Sequence, residues 1–451
     1  MTACRVACME LRDYQLECIQ TMHSHFQDND RQIVQMPTGA GKTITFLKYL
    51  SLYSKRSLIL VPTRELLEQV DESALHFFHK SEVFAKYDSN IVFKKVNIMT
   101  AASVSYESIT EKLLEAKFDT IIIDEAHRAQ SDTYKNFIGS YKQRHPKVKI
   151  CGFTATPERS DKLPLLEIFD KLTFSRTIYD LINLGHLCDM VSYRIKTGQK
   201  FETRRLSAGD FSPICLKILD NDTRNNIILK TYKDNCVNKK TLVFCLSINH
   251  ALKLEHYFAE HGIAARAIYG AMPKGHRKQI IKDFKSGKIM VLFNCQLLTE
   301  GFDEPSIDAI MITRPTKSKS LYCQMIGRGL RNSPGKKFCY LYELTENVHN
   351  ISTFNVACEL DDLPTFEYED GIRLTQLKET FEGMSLKDFS LIKEKIIIFD
   401  KKAECLFSNT ATQHQIELLK KLNIPYMNPI SIYEAGYLLW KHRLKAKYEQ
   451  N

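Results

Sequence analysis

Short runs of apolar, β-prone residues alternate with amphipathic stretches of helical period from the N-terminus to about residue 345, and few folds accept that pattern. The runs are Arg31 to Met36, Ser57 to Val61, Asp119 to Ile123 and Lys149 to Phe153. A second set follows: Thr241 to Leu246, Ala264 to Ile268, Ile289 to Phe293, Ala309 to Thr313 and Phe338 to Glu343. Strands apolar along their whole length are covered on both faces, and helices between them impose parallel pairing. The expected class is therefore α/β, with parallel sheets flanked by helices. The alternation fails between about Lys196 and Thr223, a polar stretch holding Gly198, Gly209 and Pro213. This divides the chain into a first α/β domain at 1–195, a linker at 196–222 and a second α/β domain at 223–358. Residues 359–383 read as an acidic linker and 384–451 as a small C-terminal helical module. Within that module Ser385 to Asp400, Thr412 to Ile424 and Ser431 to Trp440 carry apolar residues at helical spacing, ahead of a basic end at Lys441 to Lys447.

Composition closes off other classes. With 44% apolar residues, 25 Phe and 20 Tyr the chain has the material for packed cores and is neither disordered nor collagen-like. No apolar run reaches the roughly 18 residues a membrane span needs; Ile289 to Leu298 is broken by Asn294 and Gln296. Met1 to Arg12 lacks the apolar centre of a secretory signal. The 13 cysteines are scattered singly with no C-x-x-C, which fits reduced thiols in the cytoplasm rather than a zinc or disulfide framework. Lys and Arg number 63 against 53 Asp and Glu, and the net charge of +10 suits a polyanionic partner. A monomer is expected, with the C-terminal module either packing on the second domain or binding DNA or a protein partner.

Chemistry enters at Met36-Pro-Thr-Gly-Ala-Gly-Lys-Thr43, which follows a strand and opens a helix. Pro37, Thr38, Gly39, Ala40 and Gly41 supply a tight turn whose amides can surround phosphate oxygens at a helix N-terminus. Lys42 is placed to neutralise β- and γ-phosphates, and the Thr43 hydroxyl to sit on Mg²⁺. The leading glycine usual in such loops is replaced by Met36. A second strand ends in Asp124-Glu-Ala-His127. Ligands bind at the C-terminal ends of parallel strands, so Asp124 can hold the metal and Glu125 can act as general base on the attacking water. His127 is placed to link this site to the rest of its domain. Charge building on the γ-phosphate needs a facing cation, and Arg328 and Arg331, one helical turn apart, are candidates. Gly327 and Gly329 leave room for close approach. Pro62, Thr63 and Arg64 follow a strand with a turn, a hydroxyl and a cation suited to a sugar-phosphate chain. Thr100, Ser103 and Thr299 offer further hydroxyls, and each of these residues could equally be a helix cap.

Taken in order, these strings resemble the motifs of superfamily 2 helicases of the DEAH-box branch, over about residues 9 to 345. Leu11-Arg-Asp-Tyr-Gln15 is similar to the adenine-reading motif, which implies that Arg12 and Gln15 address the base. Val61 to Leu66 and Met99 to Ser103 resemble strand-contacting motifs. Thr154-Ala-Thr156 resembles the motif that couples hydrolysis to domain movement. Thr299-Glu-Gly-Phe-Asp303 resembles motif V, implying nucleotide contacts at Gly301 and Asp303. Gln324 to Arg331 resembles motif VI, which adds Gln324 to the two arginines as a catalytic candidate. The closest group is that of XPB- and RadD-like proteins and the motors of type I and III restriction enzymes. The resemblance implies two tandem RecA-like domains that close around ATP and Mg²⁺ and an ATP-dependent helicase or translocase, acting on DNA. An RNA helicase, or an ATP-gated clamp without strand separation, is the alternative. The cysteine-rich zinc module of RadD-like proteins has no counterpart, since only Cys358 and Cys405 lie beyond residue 345.

Overall fold

The computed structural model describes residues 10–85, 91–155, 168–195, 197, 211–295, 297–298, 302, 304–316, 318–344, 372–373, 411, 413–426, 430, 435, 438–439 and 442. They form two compact units. The first comprises residues 1–187 together with two segments from later in the chain, 297–305 and 323–331; the second comprises 188–296, 306–322 and 332–451.

The first unit is built on a seven-stranded sheet. Its strands are β1 (Arg31–Gln35), β2 (Ser57–Val61), β3 (Val83–Ala85), β4 (Val96–Thr100), β5 (Thr120–Asp124), β6 (Lys149–Thr154) and β7 (Leu172–Ser175). They lie in the order β3-β4-β2-β5-β6-β1-β7, every neighbouring pair parallel. All residues of β2, β4 and β5 are buried, as expected for strands covered on both faces. On one face Leu58, Leu60, Ile121 and Ile123 pack with Phe137, Tyr141 and Phe169.

The second unit repeats the plan. Strands β8 (Asp189–Arg194), β9 (Thr241–Phe244), β10 (Ala265–Ile268), β11 (Val291–Asn294), β12 (Ala309–Ile312), β13 (Phe338–Glu343) and β14 (Ile372–Arg373) form one sheet. The order is β10-β11-β9-β12-β13-β8-β14, parallel except for the β14–β8 pair. Val243, Phe258, Phe293 and Met311 belong to its core. Toward the C-terminus the helix Gln413–Lys421 contributes Leu419 to a separate apolar cluster with Ala411, Ile424, Ile430, Ala435 and Leu439.

All nine strands read from the sequence are present, with ends shifted by a residue or two, as helix and strand limits commonly are. Strand β4 escaped the pattern because Asn97 stands as its second residue. That side chain is fully buried and satisfied: Nδ2 donates to the carbonyls of Ser57 (2.9 Å) and Lys94 (2.8 Å), and Oδ1 accepts the Lys94 N–H (2.9 Å). Strand β8 falls inside the first domain as drawn from chain order, yet its partner is β13 of the second sheet. The stretch 196–222, read as linker, contains the helix Pro213–Ile218. The helical expectation for Ser385 to Asp400, most of the acidic stretch, Cys358, Cys405 and the basic end Lys441 to Lys447, apart from His442, lie outside the described residues.

Gly152 in the middle of β6 has no room for a side chain. A Cβ there would lie 2.5 Å from Phe169 Cζ and 2.7 Å from Ala126 Cβ. Overpacking of this kind costs about 1–3 kcal/mol, so Gly152→Ala should lower the melting temperature by several degrees. Calorimetry that finds no change would mean that Phe169 is free to move aside.

Candidate nucleotide site

The site grows from the C-terminal end of β1. Met36 is fully buried and its N–H donates to the Thr154 carbonyl at 2.9 Å, which fixes the loop to β6. Gly39 and Gly41 have φ of +87° and +77°, the left-handed region that favours glycine. A Cβ on Gly41 would also meet Gln15 Nε2 at 2.5 Å. The helix Lys42–Tyr53 then begins, so its first amides and its positive dipole end face the turn. Pro37, Thr38 and Ala40 complete the loop, with Thr38 and Ala40 buried.

Helix Asp13–Asp28 holds the loop from the other side. The Tyr14 hydroxyl donates to the Ala40 carbonyl at 2.7 Å, and Gln15 Nε2 lies 3.3 Å from the carbonyls of both Ala40 and Gly41. Gln15 Oε1 accepts the Arg12 N–H at 3.0 Å. Arg12 Nη1 donates to the Tyr14 hydroxyl at 3.1 Å. The Gln15 amide is thus committed to the loop backbone. Tyr14 was not among the sequence candidates, although it lies inside the string that contained them.

At the end of β5, Asp124 is buried and its Oδ1 accepts the Glu125 N–H at 3.0 Å. Glu125 has φ 49° and ψ 52°, which is rare for a non-glycine residue and aims its side chain back toward the loop. Its Oε1 lies 3.2 Å from Lys42 Nζ, in an ion pair only 10% and 9% exposed. Its Oε2 lies 3.4 Å from His127 Nδ1, which is 3.2 Å from Thr154 Oγ1. Burial pushes the Glu125 carboxyl up, but Lys42, His127 and Arg328 more than offset it and hold the group below the ordinary carboxylate range. A connected line therefore runs from Lys42 through Glu125 and His127 to Thr154.

The guanidinium pair belongs to the same compact unit. Arg328 and Arg331 each donate through Nη1 to the carbonyl of Phe302, both at 2.6 Å. Arg331 also forms a backbone bridge with Leu187, and its Cγ would lie 3.4 Å from a Cβ on Gly39. Gly327 is the reason the segment approaches so closely: a Cβ there would stand 2.6 Å from Thr38 Cβ. Chain order put this segment in the second domain; by contact it joins the phosphate-loop unit. The close approach read for Gly327 is present, with Thr38 as its partner, whereas the Phe302 carbonyl was missed, because a backbone acceptor has no letter in a sequence.

The residues fit a triphosphate. Thr38 Oγ1 and Gln324 Nε2 are buried without a hydrogen-bond partner among the described residues, an arrangement that is costly unless a polar occupant supplies one. The Thr43 hydroxyl and Asp124 carboxylate are hard oxygen donors of the kind Mg²⁺ takes alongside substrate phosphates. Among the proposed strand contacts, Thr63 caps the helix Arg64–Ala74 by accepting the Leu66 N–H at 3.3 Å, while Arg64 is exposed and Pro62 half-buried. Thr100 and Ser103 are buried and their hydroxyls face each other at 2.9 Å. Thr156, Thr299, Gly301 and Asp303 lie outside the described residues.

Residues 8–159 match the family described as type III restriction enzyme, res subunit, and residues 224–333 match the helicase conserved C-terminal domain. The chain is 32% identical to IRC3 of Saccharomyces cerevisiae, named as a candidate ATP-dependent helicase, over 87% of this chain and 58% of that one. It is 24% identical to the DNA 3'-5' translocase XPB2 of Sulfurisphaera tokodaii, over 72% of this chain and 79% of that one. The chain spans 58% and 59% of the lengths of its two yeast relatives, IRC3 and a Schizosaccharomyces pombe protein named as mitochondrial. Among solved structures, a fragment of a type I restriction-enzyme HsdR subunit from Vibrio vulnificus superposes with a TM-score of 0.60 at 21% identity, covering 78% of this chain and 67% of that one. Dbp5 of S. cerevisiae bound to RNA and ADP BeF3 does so with 0.52 at 16%, covering 75% and 85%. At such identities the likeness establishes the fold, two RecA-like units.

Proposed function

We propose that this chain, which belongs to superfamily 2 of the helicases, is a nucleic-acid-dependent ATPase that moves along or unwinds strands, with DNA as its track. The observation that carries the reading is the Lys42–Glu125 pair at 3.2 Å, with the charge of Arg328 close enough to lower the same carboxyl. In this reading the amides of Gly39, Ala40 and Gly41 and the ammonium of Lys42 bind the phosphates, while Thr43 and Asp124 hold Mg²⁺. The metal supplies charge neutralisation on the phosphate oxygens. Glu125, already ionised, orients and deprotonates the attacking water. Arg328 and Arg331, with Gln324 beside them, oppose the charge that develops on the γ-phosphate. Arg12 addresses the base, Gln15 steadies the phosphate loop through the Ala40 and Gly41 carbonyls, and Gly301 and Asp303 contribute from motif V. His127, Thr154 and Thr156 pass the state of Glu125 to the sheet. Pro62, Thr63 and Arg64 grip a strand backbone, with Thr299 adding a hydroxyl and Thr100 and Ser103 shaping the turn behind them.

The DNA preference is supported by the translocase and restriction-enzyme names among the relatives. Monomeric action in the cytoplasm is part of the same reading. No helix among the described residues is long and apolar enough to cross a membrane. ATP turnover measured with saturating single-stranded DNA and, separately, RNA of the same sequence tests the track. Stimulation by DNA several-fold above that by RNA is expected; stimulation by RNA alone would transfer the reading to an RNA helicase.

A further inference from the structure

The helix Lys274–Lys285 of the second unit carries Lys274, Lys278, Lys282 and Lys285, all exposed. At about 100° per residue these four fall within an arc of about 80°, over roughly 16 Å of helix. The buried residues Ile280 and Phe284 lie on the opposite side. The only acid in the helix, Asp283, points away from the row; it accepts from Gln279 at 3.0 Å and lies 3.9 Å from Lys288. Lys278, Lys282 and Lys285 have no ion pair among the described residues.

Helix stability does not account for this row. Lysines at the C-terminal end suit the dipole, but Lys274 and Lys278 stand at the positive end, where the first turn has no acid. Each like-charged i,i+4 pair adds a further cost. The helix follows β10, which is an edge strand among the described residues.

The geometry points to a phosphate-binding row for duplex DNA, separate from the strand contacts after β2 and β4. A flexible single strand is held by cations interleaved with stacking aromatics. This face has none, because the only aromatic of the helix besides His276, Phe284, is buried. A straight row of ammonium groups instead suits a stiff polyanion carrying a charge about every 1.7 Å of its axis. The inference rests on the nucleic-acid reading above, and places the double-stranded part of the substrate on this helix.

The test is the salt dependence of binding to a blunt DNA duplex and to a single strand of equal length, by fluorescence anisotropy. Removing three phosphate contacts in a Lys278→Gln, Lys282→Gln, Lys285→Gln variant should reduce the duplex slope of log K against log[salt] by about 2.7. Between roughly 50 and 200 mM salt the variant then loses about 40-fold less affinity than the wild type. The single-strand slope should change by less than about 1, and the matching triple arginine variant should keep the wild-type duplex slope. An unchanged duplex slope, or an equal fall on both probes, would overturn the proposal. Failure of the motor reading shows separately, as wild-type ATP turnover that no nucleic acid stimulates.

Discussion

Replacing Arg328 by alanine should lower strand-stimulated ATP turnover by about 10³-fold or more, while ATP binding weakens far less. Arg328 is 4% exposed; its guanidinium acts on the Glu125 carboxyl and shares the Phe302 carbonyl with Arg331. A cation held at this place and excluded from water acts most strongly on the charge that appears only as the γ-phosphate leaves. The loss therefore falls on kcat. Arg331→Ala should follow in the same direction with a smaller effect, since Arg331 is half-buried and also bridges Leu187 through its backbone. Because a buried arginine can also serve packing, Arg328→Lys is the control. It keeps the charge and most of the volume but not the planar fork, so folding should be preserved and turnover stay well below wild type. Single-turnover hydrolysis separates the chemical step from binding. Equal losses in kcat and ATP affinity would assign Arg328 to the architecture of the site.

Glu125→Gln carries the second large effect, a fall of about 10² to 10⁴ in turnover with nucleotide binding retained. The amide cannot take a proton from water, yet it matches the carboxylate in shape and tolerates the same left-handed backbone. It also releases Lys42 from its 3.2 Å ion pair, so ATP affinity should hold or rise. Lys42→Ala is the less clean experiment. It would also abolish turnover, but it leaves Glu125 buried with its main counter-ion gone, a change that typically costs about 3–5 kcal/mol. The pH dependence has a definite sign. The folded Glu125 carboxyl lies below its ordinary value, so it remains ionised as pH falls into the range where exposed carboxyls protonate. Its contribution to stability is complete above the unfolded-state value and is lost as pH falls through the lower, folded one. Turnover that persists in the glutamine variant would remove Glu125 from the chemistry.

The sequence carried the fold where apolar runs were continuous and lost it where one polar residue interrupted them. Strands β2, β5 and β13 were legible because every second or every residue is apolar; β4 was not, because a buried Asn97, satisfied by the carbonyls of Ser57 and Lys94, interrupts its apolar run. The site was legible where function needs a side chain of one kind at one spacing, as at Lys42, Thr43, Asp124 and Glu125. What stayed hidden was the scaffold. Tyr14 tied to Ala40, Gly327 against Thr38 and the Phe302 carbonyl beneath two guanidiniums are relations between distant parts of the chain. No local periodicity encodes them. Chain order likewise could not say that residues 323–331 would join the phosphate-loop unit.

In the proposed mechanism, lysine, carboxylate and guanidinium groups converge on one triphosphate. A structure determined with a non-hydrolysable ATP analogue and a nucleic-acid strand tests it most directly. Lys42 Nζ should have moved from Glu125 to the phosphates, with at least one of Arg328 and Arg331 within hydrogen-bond distance of the terminal phosphate. Nucleotide bound with Lys42 still on Glu125 and both arginines still on the Phe302 carbonyl would contradict it.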